Sequence, residues 1–246
     1  MTPVEIPVIA IDGPSGAGKG TVCRILAKKY GFHYLDSGAL YRLTALAAQR
    51  VGIDWQDEDK VATIAAKMQV EFKPTASGVQ VLLDGVESNA AIRKEDMSLG
   101  SSTVAVHPKV RQALLQLQLS FRRAPGLVAD GRDMGTTVFP DAPVKIFLTA
   151  SAEARAERRY KQLHEANLLD PGLGEHKLPG KGDSGSLRAL LADIRARDER
   201  DSNRSSSPLK PADDALVLDS TDLTIDQVVE AAQAHIAAQG IKPAHS

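Results

Sequence analysis

The segment GPSGAGKGT at residues 13–21 constrains the fold of this chain more than any other feature. It follows a short apolar, β-branched run at residues 8–11, which predicts a buried strand, and it leads into a helical pattern at residues 21–29. The spacing G-x-x-x-x-G-K between strand and helix is typical of a loop whose backbone N–H groups surround a phosphate. Lys19 adds a mobile positive charge for the outer phosphates. The sequence therefore predicts a nucleotide-phosphate site, and a chance glycine-rich turn is the less favoured alternative.

Gly20 departs from the usual form of such loops, in which Ser or Thr follows the lysine and ligates Mg²⁺. Because glycine has no side chain, phosphate oxygens and water should hold the Mg²⁺ ion, as is common when two phosphorylated ligands share it. The dinucleotide-binding pattern GxGxxG fails, because Thr21 stands where the third glycine belongs. The loop thus indicates a reaction between two phosphorylated ligands rather than a damaged site.

Short apolar runs alternate with helical patterns along most of the chain. This alternation predicts a parallel sheet covered by helices on both faces. Ligands of such sheets bind beyond the carboxyl ends of the strands, where Asp36, Asp130 and Gly131 fall. The strand runs are 8–11, 33–36, 127–130, 144–148 and 215–219, and the helical patterns are 21–29, 39–51, 109–123, 151–166, 187–203 and 224–238.

Two segments interrupt this alternation. Residues 69–87 contain two alternating runs around PTASG, which predicts an antiparallel hairpin inserted in the α/β pattern. Residues 167–186 contain five Gly and two Pro, which predicts a loop. Two interpretations of this loop remain open: a disordered surface insertion, or part of a lid over the nucleotide.

The composition is that of an ordinary globular protein, with 43% hydrophobic and 25% charged residues. A net charge of −1 gives no basic field for nucleic acid or membrane. The single cysteine, Cys23, cannot form an internal disulfide, which favours a reducing cytosol. The chain shows no secretion signal, no apolar run of the roughly 20 residues that span a bilayer, and no paired histidine spacing. We therefore expect a cytoplasmic protein with no nucleic-acid partner, no membrane partner and no metal site of protein ligands.

Arginines and carboxylates recur after the predicted strand ends and on two helical stretches. Phosphoryl transfer between two nucleotides requires several guanidinium groups at the gap between them. On the stretch 187–204, Arg197, Asp201 and Arg204 lie near the same side as the apolar stripe. A solvated helix end with ion pairs is the alternative interpretation. The candidates are Ser37, Arg42, Arg132, Asp133, Arg155, Arg158, Arg159, Arg197, Asp201 and Arg204.

Four motifs in this order resemble those of the bacterial cytidylate kinase family: IDGPSGAGKGT, LDSGALYR, ADGRDMGTTVFPDAPVKIFL and ARDERDSNR. The resemblance covers roughly residues 6–237. It implies the three-layer α/β/α fold of P-loop nucleoside monophosphate kinases, with a parallel five-stranded sheet. It also implies an inserted monophosphate-binding subdomain with a small antiparallel sheet, and a lid. The implied bounds are 1–60 and 107–238 for the core, 61–106 for the subdomain, 155–190 for the lid and 239–246 for a tail.

The resemblance further implies transfer of the γ-phosphoryl group of ATP to CMP or dCMP with Mg²⁺, in a monomer whose partners are these small molecules. Carried over by position, the ATP-binding residues are Gly13, Pro14, Ser15, Gly16, Ala17, Gly18, Lys19, Gly20 and Thr21. The catalytic residues are Lys19, Arg132, Arg158 and Arg159, the last two as lid arginines. The acceptor phosphate meets Arg42 and Arg132, the cytosine faces Ser37, Arg111, Asp133 and Arg204, and the sugar faces Ser102, Arg197 and Asp201.

The chemistry of cytosine agrees with this assignment. Ser37 and Asp133 offer oxygens that accept hydrogen bonds from the exocyclic amine of cytosine. Arg111 can donate to the ring nitrogen and the carbonyl oxygen. Uracil reverses two of these polarities, and the resulting unpaired buried groups can reduce its use by up to about 10⁴–10⁵-fold.

Three other functions remain as alternatives. The first is a kinase for UMP, AMP or another small metabolite, which a panel of acceptors distinguishes. The second is a nucleotide-dependent switch similar to a GTPase, although the sequence has no NKxD motif and no DxxG motif after the loop. The third is an RNA-binding protein, which the aromatic content of 4% disfavours.

Overall fold

The computed structural model describes residues 6–75, 78–169 and 187–244. Its strands are β1 (Val8–Asp12), β2 (His33–Asp36), β3 (Val70–Thr75), β4 (Gly78–Leu83), β5 (Val86–Glu87), β6 (Leu127–Gly131), β7 (Val144–Thr149) and β8 (Leu216–Asp219). Its helices are α1 (Lys19–Tyr30), α2 (Ser37–Arg50), α3 (Glu58–Ala65), α4 (Asn89–Ile92), α5 (Glu95–Val104), α6 (Pro108–Leu119), α7 (Ala152–Leu169), α8 (Leu187–Ser202) and α9 (Ile225–Ala238). Every strand and helix predicted above forms, with small shifts at the ends.

Five strands form one parallel sheet in the order β2-β6-β1-β7-β8. β1 lies in the middle, where Val8 pairs with Leu127 of β6 and Ile9 pairs with Val144 of β7. All five residues of β1 are buried, as expected for a central strand covered on both faces. Because the strands run in the same direction, their carboxyl ends meet at one edge of the sheet.

Helices cover both faces of this sheet because alternate residues of β1 point to opposite sides. Ile9 and Ile11 belong to a buried cluster that includes α1, α9 and the free thiol of Cys23. Val8 and Ala10 belong to a second cluster that includes α2 and α6. The predicted three-layer α/β/α fold with a five-stranded parallel sheet is therefore confirmed.

The segment between α2 and α6 contains the predicted hairpin and additional elements. β3 and β4 pair antiparallel, with Val70 opposite Leu83, and β5 adds a third strand. The short helices α3, α4 and α5 are not predicted from the sequence. Leu83 and Met97 belong to the same buried cluster as Val8, so this segment shares its hydrophobic core with the large sheet. The domain bounds given above, including 61–106 for an inserted subdomain, stay predictions.

The predicted lid region 155–190 begins within α7 and ends within α8. From residue 170 onward, the Gly- and Pro-rich segment 167–186 lies outside the described residues, so its two interpretations stay predictions. Within the three described ranges, no helix is both long enough and apolar enough to cross a bilayer.

Candidate active site

The phosphate-binding loop between β1 and α1 requires glycine at several positions. Gly16 and Gly18 have left-handed φ angles of 81° and 93°, which glycine adopts without steric cost. Gly13 has a φ of 146°. A Cβ atom at this position would lie 1.9 Å from the carbonyl oxygen of Leu148 on β7. The loop therefore passes so close to β7 that no side chain fits at residue 13.

The Lys19 side chain folds back over this loop. Its Nζ donates to the carbonyl oxygen of Pro14 at 2.9 Å and lies 3.9 Å from Oδ1 of Asp130. Burial and, to a lesser degree, the charge of Arg132 lower the pKa of Lys19 to about 8. Burial also raises the pKa of Asp130 to about 6. A cation that is so poorly solvated is stabilised by an incoming anion, and a phosphate group is such an anion.

A cavity of about 700 Å³ opens above the loop at the carboxyl ends of the strands. We call it the donor–acceptor cavity. Its lining includes residues from the loop, from the five helices α1, α2, α7, α8 and α9, and from the ends of β2 and β6, so the structure brings together side chains that are far apart in the sequence. The predicted site residues among them are Ser15, Gly16, Ala17, Gly18, Lys19, Gly20, Thr21, Arg42, Arg132, Arg158 and Arg197.

Arg132 and Asp201 form a partly buried ion pair beside this cavity. The Nε atom of Arg132 donates to Oδ2 of Asp201 at 2.8 Å. Burial alone would raise the pKa of Asp201, but Arg132 and Arg204 outweigh burial and lower it. Arg197 on the same helix donates from Nη1 to Oγ of Ser98 at 3.2 Å, and its Nε is buried with no hydrogen-bond partner among the residues that the structure describes. Such an unpaired donor is costly, so a ligand that pairs with it gains affinity.

A smaller cavity of about 100 Å³ lies next to Arg111 and Asp133, which form a buried ion pair. We call it the base pocket. The guanidinium carbon of Arg111 lies 5.7 Å from the centre of the Tyr41 ring, which also lines this pocket. Asp133 precedes a π-helical turn, Met134–Val138. Ser37 lines neither cavity, but its Oγ atom lies near the end of β6, where a Cβ atom built at Gly131 would be 2.7 Å from it.

Four predicted residues lie less centrally. Arg204 is not part of the donor–acceptor cavity: its guanidinium lies beside Asp201, and the charges of Arg111 and Asp133 act on it. Arg159 is exposed, although its charge acts on Arg42. The Ser102 hydroxyl donates within its own helix, to the Ser98 carbonyl oxygen at 3.2 Å. Arg158 lines the cavity but donates to the carbonyl oxygens of Ser220 and Thr221.

Asp12 is the last residue of β1, directly before the phosphate-binding loop; it lines neither cavity and is not among the predicted site residues. Its carboxylate oxygens accept hydrogen bonds from the backbone N–H groups of Met134 and Gly135, each at 2.8 Å. Burial raises the pKa of Asp12 to about 7, although these two hydrogen bonds oppose the shift. The sequence does carry a signal for Asp12, because this aspartate stands at the carboxyl end of a strand, as Asp36 and Asp130 do. The end of β1 is thereby connected to the turn that follows Asp133.

Comparison with known proteins gives a consistent result. The family model described as cytidylate kinase matches residues 9–171 and 174–238. The cytidylate kinase of Pseudomonas savastanoi pv. phaseolicola is 53% identical over 240 residues, which are 97% of this chain and 98% of that protein. The cytidylate kinase of Pseudomonas fluorescens is 54% identical over 237 residues, with 96% and 97% covered. That of Photobacterium profundum is 53% identical over 230 residues, with 94% of each chain covered. This chain belongs to the cytidylate kinase family.

Proposed function

We propose that this protein is a kinase that transfers the γ-phosphoryl group of ATP to CMP or dCMP, giving ADP and CDP or dCDP. One observation carries the proposal: a phosphate-binding loop and three arginines from separate elements, Arg42, Arg132 and Arg197, line a single cavity. The buried Arg111–Asp133 pair beside that cavity suits a cytosine base. The family membership and the names of the relatives support the same reaction.

On the donor side, the backbone N–H groups of the loop and Lys19 bind the phosphates of ATP. Lys19 exchanges the Pro14 carbonyl oxygen for a phosphate oxygen. This exchange costs little hydration free energy, because Lys19 is only 6% exposed before ATP binds. The charge of Lys19 then stabilises the negative charge that spreads over the migrating group.

On the acceptor side, Arg42 and Arg132 bind the phosphate of the monophosphate, and Arg197 and Asp201 bind its sugar with Ser102 nearby. Arg132 is fixed by Asp201, so its guanidinium is oriented before the acceptor arrives. Holding the attacking phosphate in line with the γ-phosphorus is the main catalytic contribution of the protein. Arg158 and Arg159 approach the migrating group when the lid closes, and closure excludes competing water.

The base pocket selects the acceptor. The Asp133 carboxylate and the Ser37 hydroxyl accept from the cytosine amine, and Arg111 donates to the ring nitrogen and carbonyl oxygen. The charge of Arg204 lies close to this pair and contributes to the same pocket. A uracil base would place a carbonyl oxygen against the Asp133 carboxylate. We therefore propose that CMP and dCMP are preferred over UMP.

The residues around Gly20 are compatible with a hydrated Mg²⁺ ion. A Cβ atom at Gly20 would lie 3.4 Å from Oδ2 of Asp130, so this carboxylate borders the space where a side-chain ligand would otherwise stand. No cluster of three potential metal-ligating side chains occurs in the part of the chain that the structure describes. We propose that phosphate oxygens and water ligate the ion and that Asp130 accepts hydrogen bonds from that water. Bound Mg²⁺ would neutralise phosphate charge.

We further propose that the protein acts as a monomer in the cytoplasm and that its partners are its nucleotide substrates. The free thiol of Cys23 is compatible with a reducing compartment.

A panel of acceptors tests the proposed function. The purified protein is incubated with ATP, Mg²⁺ and one of CMP, dCMP, UMP, AMP or GMP, and ADP formation is measured. We expect the highest kcat/KM with CMP or dCMP and at least about 10²-fold less with AMP, since a purine does not match the buried polar groups. A preference for another acceptor contradicts the substrate assignment. Guanine nucleotide binding without transfer favours the switch-protein alternative.

A further inference from the structure

Arg155 on α7 is a buried arginine that the proposed reaction does not use. Its side chain is 4% exposed. Its Nη1 donates to the Ser15 carbonyl oxygen in the phosphate-binding loop at 3.1 Å, and its Nε donates to the Ala150 carbonyl oxygen at 2.9 Å. Its Cβ lies 3.3 Å from the position of a Cβ atom on Gly16, so its stem also packs against the loop. The side chain thus holds the backbone of the loop from behind.

The same guanidinium forms a bidentate ion pair with Asp198 on α8. Nη1 donates to Oδ1 at 3.0 Å and Nη2 donates to Oδ2 at 2.5 Å. Asp198 is adjacent to Arg197 and stands three residues before Asp201, the two residues of α8 that we assign to the sugar. A single planar group therefore connects the donor loop with the helix that carries the acceptor-binding side chains. A lysine cannot replace it, because an ammonium group lacks the fork that two carboxylate oxygens and a carbonyl require.

We infer that Arg155 is a positioning residue that couples donor binding to acceptor binding by connecting the phosphate-binding loop to α8 through Asp198. When ATP binding orders the loop, the Ser15 carbonyl oxygen holds Arg155 in one position. Arg155 then holds α8 in place through its ion pair with Asp198. The acceptor then binds to a helix that is already in place, so less ordering entropy opposes its binding. This inference rests on the proposed function, because it takes CMP as the acceptor.

The chain offers a matched control for this connection. Arg195 on α8 and Glu153 on α7 form an ion pair at 2.6 Å between the same two helices, but both side chains are exposed. The contact between Arg195 and Glu153 does not involve the phosphate-binding loop. Removal of the Arg195–Glu153 pair therefore tests helix docking alone, whereas removal of the Arg155–Asp198 pair tests the connection to the loop.

The experiment is a calorimetric titration of CMP into the protein, with and without a saturating non-hydrolysable ATP analogue and Mg²⁺. The ratio of the two dissociation constants is the coupling factor, which linkage requires to be the same when the analogue is titrated. The wild-type protein, Asp198→Asn, Arg155→Lys and the control Arg195→Gln are compared. Thermal unfolding of each variant reports whether it is folded. If Asp198→Asn is poorly folded, Arg155→Lys provides the test, because it keeps the positive charge and removes only the fork.

We expect a coupling factor of at least about 5 for wild type and Arg195→Gln, and a factor within about 2-fold of one for Asp198→Asn and Arg155→Lys. A merely structural role would weaken both ligands equally and leave the factor unchanged. Wild-type coupling in Asp198→Asn, an equal loss in Arg195→Gln, or no coupling in wild type overturns the inference. The acceptor panel reports separately on the proposed function, since a wild-type enzyme can phosphorylate CMP whatever these variants show.

Discussion

The Asp12 carboxylate accepts a hydrogen bond from the backbone N–H of Gly135 at 2.8 Å. The strand that leads into the phosphate-binding loop is therefore bonded directly to the turn that follows Asp133. Burial raises the pKa of Asp12 to about 7 from an ordinary 3.8, so the folded protein binds this proton more tightly than the unfolded chain does. The contribution of Asp12 to stability is fully present below pH 3.8 and is lost as the pH rises through about 7.

Replacement of Asp12 by Asn makes this dependence measurable. Asn does not titrate, and both proteins contain the same other carboxylates. The contributions of those carboxylates to the pH dependence of unfolding therefore cancel when the two proteins are compared. We expect the free energy of unfolding of the wild type, relative to Asp12→Asn, to fall by up to about 1.4 kcal/mol per pH unit between pH 4 and 7. Urea unfolding of both proteins at several pH values provides the measurement. A difference that is flat with pH would show that Asp12 does not titrate in this range.

Lys19→Ala is expected to reduce kcat by at least about 10²-fold, which is the scale for removal of one electrostatic group that acts in the transition state. ADP formation with CMP as acceptor is the measurement, and thermal unfolding checks that the variant is folded. Near-normal turnover in a folded Lys19→Ala variant would remove this residue from the mechanism.

The pH profile of the wild-type enzyme gives a second test of Lys19. Because its pKa is lowered to about 8, the neutral form predominates above this pH in the free enzyme. We expect kcat/KM for ATP to decrease above about pH 8, whereas kcat at saturating ATP stays constant to a higher pH, since bound phosphate favours the charged amine. If both parameters decrease at the same pH, the group that titrates is not one that ATP contacts.

Asp133→Ala is expected to weaken the use of CMP more than the binding of ATP, because Asp133 lies in the base pocket and not in the phosphate-binding loop. We expect kcat/KM for CMP to fall by at least about 10²-fold, while the dissociation constant of an ATP analogue changes by less than about 3-fold. Asp133→Asn keeps the shape and serves as the matched variant, since loss of one partner of a buried pair also costs stability. Equal losses for both nucleotides would contradict a role in base recognition.

Gly13→Ala and Gly20→Ala form a matched pair within the loop. A Cβ atom at Gly13 would lie 1.9 Å from a backbone oxygen, whereas at Gly20 the nearest atom, on Asp130, is at 3.4 Å. We expect Gly13→Ala to lose nucleotide binding, or to unfold at a much lower temperature, and Gly20→Ala to fold normally. Thermal unfolding with and without ATP measures both effects, and a normal Gly13→Ala protein would refute the packing of this loop against β7.

The five parallel strands and the phosphate-binding loop were predictable from the sequence because their signals are local: a short apolar run, a glycine spacing and a helical start. The positions of β6 between β2 and β1, and of β8 at the edge, depend on contacts between distant segments. The helices α3 to α5 were missed; α4, with only four residues, offers too short a pattern to recognise.

The candidate site was predictable as a set of residue types and not as a network. The motif ADGRDMGT places Arg132 and Asp133 after a strand, but the partners of Asp133 and Arg132 come from α6 and α8. Arg158 shows the same limit, because its bonds to the Ser220 and Thr221 carbonyl oxygens depend on how a distant loop folds. Asp12 was harder still, since it acts on backbone N–H groups, which nearly every residue carries. Arg155 was a candidate by residue type, but its contacts with the loop backbone and with Asp198 were not predictable.

The buried thiol in α1 provides a native reporter of how the nucleotide-binding half of the protein opens. Cys23 is 0% exposed and lies in the first helix after the loop, so a thiol-reactive reagent reaches it only when α1 separates from the sheet. The rate of its chemical labelling therefore measures the population of this opened state, without an introduced probe. The decrease in labelling rate caused by ATP, compared with the decrease caused by CMP, would then show how strongly each nucleotide stabilises the packing of α1 against the sheet.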